Sequence, residues 1–549
     1  MRRIHDQRPR TVWRIVLTYL AHIVSMRYGM LLLVAIATVI CLIANLALQH
    51  RHVPHDPAVN VPKHHRNKNP HRHKDESAQN NLKSEHEEVE NSNIDVDHYH
   101  LNHHRNKTME FNPNRLEEIA RWRQQTRVDC SALFKNNTHS VRQAVAIARV
   151  FAAEEEKKYG GKENTYLQKK MREDPLASQH YREVMKWAGE FKRLTNTWYL
   201  NATKNCERFK WSRGYITSPL TQEEEEFPLA YSILVFKDIE LVERLLRSIY
   251  RPQNSYCINV DIKSDPEFYR AVTALVKCFS DNVRMSSIRF DVRWATYTVL
   301  EPELVCMQDL WDMDEERHEK DTAKDGQKVE SRKSRKPWKY FINLTGQEFP
   351  LKTNYELVKM IKALKGANSE EGTRKRANKN RWGSKPAPYD INPVKGGVHT
   401  LFNRATVDFI LHSETARAFV DWLKDTDYPD ETLFASINFN PHLKIPGTYN
   451  GTKMEENESL TRYKQWYGNN CSSQHVVHSI CILSTGDLYR LGASPHMFAN
   501  KFYLHEDRIV IGCLEEKIFN DTRDEFKGIK TFDTTFYSNQ DFVINQVKG

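Results

Sequence analysis

No C-x-x-C pair occurs in the 549 residues, which removes the sequence support for a thioredoxin-like redox centre or a structural zinc site. Neither zinc-finger spacing nor an RNP-like aromatic motif accompanies the net charge of +10, so the charge does not point to nucleic acid. The basic runs lie at the start of the chain and in loops such as Arg332 to Lys339, beside an acid-rich stretch. No heptad repeat marks a coiled coil. Hydrophobic residues make up only 39%, but they are unevenly spread. Gly29 to Leu48 carries no charge and, at about 1.5 Å rise per residue, is long enough to cross the hydrocarbon core.

A cleavable signal has an apolar stretch of only ~7–15 residues followed by a small-residue cleavage site. Here the stretch is longer and runs into Gln49, His50 and Arg51, as an uncleaved anchor would. Arg2, Arg3, Arg8, Arg10, Arg14 and Arg27 precede it, which predicts a cytosolic N-terminus and a luminal remainder. Val12 to Val24 is amphipathic and suits the cytosolic membrane face. Apart from Cys41 in the span, Cys130, Cys206, Cys257, Cys278, Cys306, Cys471, Cys481 and Cys513 form an even set, compatible with disulfides in an oxidising lumen. Their pairing is open at this level.

The reading divides the chain into a cytosolic tail (1–28), an anchor (29–48), a polar stem (49–120), a helical N-terminal part (121–225) and a catalytic domain (226–549). The stem is rich in His, Asn, Lys and Glu and buries too little surface to order itself. Its histidines have no fixed surroundings that would make a specific metal site. Self-association of the stem into a homodimer stays open. Val141 to Lys158 and Glu163 to Lys192 have helical periodicity. An acidic linker, Glu223 to Glu226, follows. Leu229 to Phe236 reads as a strand, Asp238 to Ile249 as an amphipathic helix and Tyr256 to Asp261 as a second strand. This β-α-β unit implies an α/β fold with a mostly parallel, Rossmann-type sheet. Val272 to Phe279 and Leu304 to Trp311 read as helices, Arg284 to Phe290 and Lys339 to Leu344 as strands. Asp314 to Pro337 reads as an exposed loop. The basic stretch Ser369 to Trp382 is expected to order on ligand binding.

Asp261 ends a strand after a β-α unit, where open α/β sheets place a carboxylate against a ribose or base. Many such aspartates only close turns. Three D-x-D tripeptides could hold a nucleotide-sugar's metal: Asp95-Val96-Asp97, Asp312-Met313-Asp314 and Asp425-Thr426-Asp427. None ends a buried strand, so they read as solvated acidic turns. Without a metal, fixed cations must stabilise a leaving diphosphate. In Tyr428-Pro429-Asp430-Glu431, Asp430 can cap a helix and Glu431 projects from its first turn as a candidate general base.

AYSILVF, RLLRSIYRPQNSYCINVD, KYFINLTGQEFPLKTN, YPDETLFASI, HSICILSTGDL and HMFANKF, in this order, resemble the core-2/I-branching β-1,6-N-acetylglucosaminyltransferase family over about residues 206–515. The resemblance implies a type II Golgi membrane protein with a GT-A-like fold. It implies an inverting enzyme that needs no divalent metal or other cofactor and takes a UDP-sugar donor and the O-glycan of a glycoprotein acceptor. GlcNAc transfer onto a core-1 glycan (Galβ1-3GalNAc) leads. Another donor (UDP-glucose or UDP-xylose) and an inactive glycan-binding scaffold are the alternatives. Glu431 falls on the family's base, Val235, Asp261 and Trp294 on donor contacts, and Lys501 on the lysine that neutralises the diphosphate. The partnering arginine falls on His478, a departure that supplies less charge, although a bound phosphate would favour the imidazolium. Activity at low luminal pH is the expectation, with Arg490 as a substitute cation. Acceptor contacts map to Glu371, Lys379, Arg381 and Trp466, the last equally readable as packing.

The same resemblance implies the pairs Cys130–Cys513, Cys206–Cys278, Cys257–Cys306 and Cys471–Cys481. Sequons at Asn106, Asn136, Asn201, Asn450, Asn457, Asn470 and Asn520 are expected to carry glycans where exposed. Asn343, in the predicted buried strand, is expected to stay unmodified.

Overall fold

The computed structural model describes residues 128–159, 166–188, 193–324, 336–466, 468 and 470–549. The expected tail, anchor and stem, with Asn106 and Asp95-Val96-Asp97, lie outside these residues. Among the described residues no helix is long and apolar enough to cross a membrane.

The N-terminal helices are α1 (Thr138–Tyr159), α2 (Tyr166–Glu173) and α3 (Pro175–Ala188). The expected single helix Glu163 to Lys192 is two helices. Pro175 lacks the N–H to continue α2, and the Asp174 carboxylate accepts from Leu176 N and Ala177 N to start α3. The acidic stretch expected as a linker is a short helix, Gln222–Glu226. Its Glu224 is buried and accepts from Asn354 at 2.7 Å.

Next come β1 (Leu229–Val235), α4 (Ile239–Ile249), β2 (Ser255–Val260), α5 (Pro266–Lys277), β3 (Val283–Met285), α6 (Glu301–Lys324) and β4 (Tyr340–Thr345). Beyond β4 lie β5 (Glu348–Pro350), α7 (Asn354–Ala363), β6 (Gly372–Thr373), β7 (Lys395–Gly396) and β8 (Leu401–Asn403). The main sheet has the order β3-β2-β1-β4-β8. β1 is parallel to both β2 and β4, β3 is parallel to β2, and only β8 is antiparallel. Strand alternation sends Tyr231, Ile233 and Val235 into the core beneath α4, α5 and α7, and Ala230 into the core against α6. This mixed, parallel-rich sheet between helical layers fits a GT-A-like architecture.

Two expectations need correction. The strand expected over Arg284 to Phe290 ends at Met285, and residues after it bend away toward the sheet's carboxyl edge. The helix expected over Leu304 to Trp311 is α6, which continues to Lys324. Its Asp314, expected in an exposed loop, is buried, pairs with Arg404 at 2.7 Å and accepts from Trp338 N. Asp312 accepts from Gln308 one turn earlier. This D-x-D is therefore part of a helix and its packing.

The chain ends with α8 (Arg404–His412), α9 (Glu414–Leu423), α10 (Asp430–Asn438), β9 (Arg462–Lys464), the hairpin β10 (Val476–Val477) and β11 (Ile480–Cys481), α11 (Leu488–Ala493), β12 (Phe498–Asn500) and α12 (Arg508–Phe526). β5, β12 and β9 form a second sheet. One buried cluster fixes it: Glu348 takes Arg462 at 2.7 Å, His399 at 2.8 Å and Asn500 at 3.0 Å, and Arg462 also donates to the Asn343 carbonyl of β4. Burial pushes the Glu348 carboxyl up, but Arg462 and His399 outweigh it and hold it at about 2. The disulfides are Cys130–Cys513, Cys206–Cys278, Cys257–Cys306 and Cys471–Cys481. The first ties the short helix Cys130–Phe134, ahead of α1, to α12.

Candidate active site

Parallel strands gather their carboxyl ends at one edge, and β1, flanked by β2 and β4, is the point at which connections diverge. Val235 ends β1, and its carbonyl accepts from Asp261 N at 3.1 Å, so these two expected donor contacts are neighbours. The Asp261 carboxylate accepts from Lys263 N at 2.8 Å and lies 3.4 Å from Lys263 Nζ, so it also closes the turn after β2.

The Pro-Asp-Glu segment starts α10. Pro429, not Asp430, occupies the N-cap, and no side chain caps this helix. Burial, with the charge of Glu431, pushes the Asp430 carboxyl up to about 6. Glu431 faces outward. Arg381 Nη1 donates to its Oε2 at 2.8 Å and Lys395 Nζ lies 3.5 Å away. Arg381 stands on the turn Lys379–Trp382, which Trp382 Nε1 anchors to Thr432 Oγ1 at 3.1 Å. The Arg381 guanidinium also lies 4.7 Å over the Tyr428 ring, and Tyr428 meets Trp294 edge-on at 5.1 Å. Trp294 is 70% exposed and tilts against His478 at 6.1 Å. An unbroken line of side chains thus joins His478, Trp294, Tyr428, Arg381 and Glu431. Lys379, on the same turn as Arg381, is exposed.

The basic stretch expected to await a ligand is already held. Glu455 accepts from Thr373 Oγ1, Arg374 N and Lys375 N, and β6 pairs with β7. Gly396 in β7 permits that approach: a Cβ there would lie 2.5 Å from Ala435 Cβ and 2.7 Å from the Glu371 carbonyl oxygen. Beside β7 opens a cleft of about 640 Å³ lined by Glu371, Arg376, Lys395, Lys464, Trp466 and His496 among others. Glu371 pairs with Lys464 at 3.0 Å, which outweighs burial and lowers its carboxyl from the usual range. Trp466 is 50% exposed and lies under the Lys464 ammonium, so the packing reading gives way to an open aromatic wall.

His478 and Ser479 form the tip of the β10–β11 hairpin, both at positive φ (51° and 65°), as a tight two-residue hairpin turn requires. Cys481 closes its disulfide with Cys471, and Leu483 N donates to the Lys501 carbonyl. Lys501 follows β12, half-buried beyond the Glu348 cluster. Arg490, expected as a substitute cation, pairs instead with the buried Asp487 and donates to the Asn470 carbonyl. Asp425 pairs with Lys385 at 3.2 Å and Asp427 N donates to the Arg381 carbonyl, so this D-x-D forms a turn that supports Arg381. Asn343 is buried and donates to Glu303 and to the Val398 carbonyl. Asn457, a sequon expected to carry a glycan where exposed, has its amide nitrogen buried. Asn136, Asn201, Asn450 and Asn470 are exposed, and Asn520 is half-buried.

Sequence reasoning missed Lys395 and Lys464. Both lie on short strands without a recognisable motif, and only the fold brings them to Glu431 and Glu371.

The Core-2/I-Branching enzyme family model matches residues 229–318 and 332–491, a span that holds Glu431, Trp466 and His478. A bovine herpesvirus 4 (strain DN-599) β-1,3-galactosyl-O-glycosyl-glycoprotein β-1,6-N-acetylglucosaminyltransferase is 36% identical over 353 residues, covering 59% of this chain and 74% of the relative. The Bos taurus and Ovis aries proteins named β-1,3-galactosyl-O-glycosyl-glycoprotein β-1,6-N-acetylglucosaminyltransferase 3 are each 35% identical over 355 residues, covering 59% of this chain and 76% of theirs. The chain belongs to the Core-2/I-branching enzyme family and is a glycosyltransferase.

Proposed function

We propose that this enzyme transfers GlcNAc from UDP-GlcNAc in β-1,6 linkage to a core-1 O-glycan on a glycoprotein, with inversion and without a metal. The observation that carries the reading is the outward-facing Glu431, set between Arg381 and Lys395 at the edge of a polar cleft with an open tryptophan wall. A cleft of that kind suits a sugar: the aromatic face takes C–H surfaces, and Glu371 and Lys464 take hydroxyls. The names of the relatives, β-1,6-N-acetylglucosaminyltransferases of β-1,3-galactosyl-O-glycosyl-glycoproteins, support this linkage and acceptor class.

In this reading the acceptor C6 hydroxyl loses its proton to Glu431 as its oxygen attacks the anomeric carbon from the face opposite the leaving UDP. Arg381 and Lys395 fix the carboxylate, so the base is oriented before substrate arrives. Trp294 flanks the donor side, beside His478. With no metal in the mechanism, fixed cations meet the diphosphate, Lys501 among them. The arginines of the tail and the apolar span 29–48 support a type II Golgi membrane protein with this site in the lumen.

The test is the detergent-solubilised full chain with core-1 acceptor, EDTA, and UDP-GlcNAc, UDP-glucose or UDP-xylose in parallel. Turnover with UDP-GlcNAc in EDTA is expected. Turnover only with another donor replaces the sugar, loss with EDTA removes the metal-free mechanism, and no turnover with any donor favours a scaffold.

A further inference from the structure

Lys237 belongs to none of the roles discussed so far. It follows the last residues of β1, at the sheet edge where Val235 and Asp261 meet, and its side chain is exposed. Its ammonium lies 4.6 Å over the Tyr503 ring and 5.2 Å from the ring centre of Phe236. Tyr503 stands two residues after Lys501, on the segment that Phe502 N pins to the Gln347 carbonyl at 2.8 Å. Lys237 is thereby held beside the segment that carries Lys501.

The neighbouring acids are engaged elsewhere. Asp238 accepts from Leu241 N to cap α4. Glu506 takes His475 at 2.8 Å, and Glu348 is occupied by Arg462, His399 and Asn500. Burial lowers the Lys501 ammonium from its usual range; Glu348 opposes this and the charge of Lys237 adds to it. Two cations that repel each other at a sheet edge, where the nearest described acids already hold other partners, form a site for a polyanion. The β10–β11 hairpin carries His478 where the resemblance would place an arginine.

We propose that Lys237 is a catalytic residue that, together with Lys501, neutralises the diphosphate of the nucleotide-sugar and supplies a fixed charge in place of the arginine that His478 replaces. The assignment rests on the UDP-sugar reading above. As the acceptor oxygen bonds to the anomeric carbon, the bond from that carbon to the β-phosphate oxygen breaks. Its electron pair stays on the phosphate, and the acceptor proton passes to Glu431. Negative charge grows on the diphosphate, and the two ammonium groups meet it there.

Calorimetric titration of the full chain with UDP and with uridine tests this. The wild type binds UDP more tightly than uridine. Lys237→Met, which keeps an apolar contact with Tyr503 while removing the charge, is expected to weaken UDP binding about tenfold, about 1.4 kcal/mol, and to leave uridine binding unchanged. Lys237→Arg retains UDP binding. A Lys237→Met protein that binds UDP as the wild type does overturns the proposal and leaves the UDP-sugar reading intact. Wild-type protein that binds no UDP overturns both. Equal loss for UDP and uridine would mark a packing role and also overturns it. An unchanged melting temperature establishes that the variant is folded.

Discussion

The Arg381 guanidinium donates to the Glu431 carboxylate across 2.8 Å while lying over the Tyr428 ring. The group assigned as base is therefore held in one orientation by a cation that is itself held by an aromatic face. Glu431→Gln keeps the shape and the bond to Arg381 but cannot take a proton. Its kcat is expected to fall ~10²–10⁴-fold with UDP binding unchanged. A variant as active as the wild type removes Glu431 from the mechanism.

Arg381→Ala leaves Lys395 as the remaining cation beside Glu431. A hydrogen bond to a charged group contributes about 1.5–3 kcal/mol, so kcat/KM is expected to drop by about tenfold or more. Steady-state kinetics at fixed donor reads this directly, and an unchanged kcat/KM would mean that the base is positioned by Lys395 alone.

Trp466 offers its face to the cleft. Truncation to alanine is expected to remove about 1 kcal/mol of aromatic contact, raising the acceptor KM about fivefold with little change in kcat. A fall in kcat with KM unchanged would place the ring away from the acceptor.

Gly396→Ala would push a methyl into Ala435 and the Glu371 carbonyl, both in packed backbone surroundings. The expected destabilisation is about 1–3 kcal/mol, read as a lower urea midpoint. Activity should fall further than stability, because β7 carries Lys395.

Glu303 is buried between Ser232 and Asn343, which donate to it at 2.6 and 3.3 Å. Burial raises its carboxyl from the ordinary 4.5 to about 7. The raised direction means that its contribution to stability is full below pH 4.5 and is lost as pH rises toward about 7. The loss is on the order of 3 kcal/mol. Glu303→Gln should flatten that part of the stability profile, and an unaltered slope would assign it to another group.

The elements legible in the sequence were those in which one pattern governs a whole segment. β1, β2 and β4 are continuous apolar runs buried on both faces, and α4 is amphipathic along its whole length, so each shows its pattern without help from distant residues. α6 was read too short because its second half is charged, and only the fold supplies Arg404 for Asp314 and Arg284 for Glu316. The break at Asp174-Pro175 was legible and overlooked, since periodicity continues across it. At the site, motif residues such as Glu431, His478 and Lys501 could be named from the sequence. Lys395, Lys464 and Lys237 could not, because a lone lysine on a short strand or at its end carries no local signal.

α6 leads away from the site. Asp314 bonds Trp338 N, and Arg317 donates to Ser255 Oγ and to the Asp281 carbonyl. These contacts fix the second half of α6 and the start of β4 at the amino edge of the main sheet, whereas Val235 and Asp261 lie at its carboxyl edge. That separation makes the exposed Lys336, just ahead of β4, a natural labelling position. An epitope or fluorophore placed there should travel with the enzyme and report its compartment without touching the chemistry.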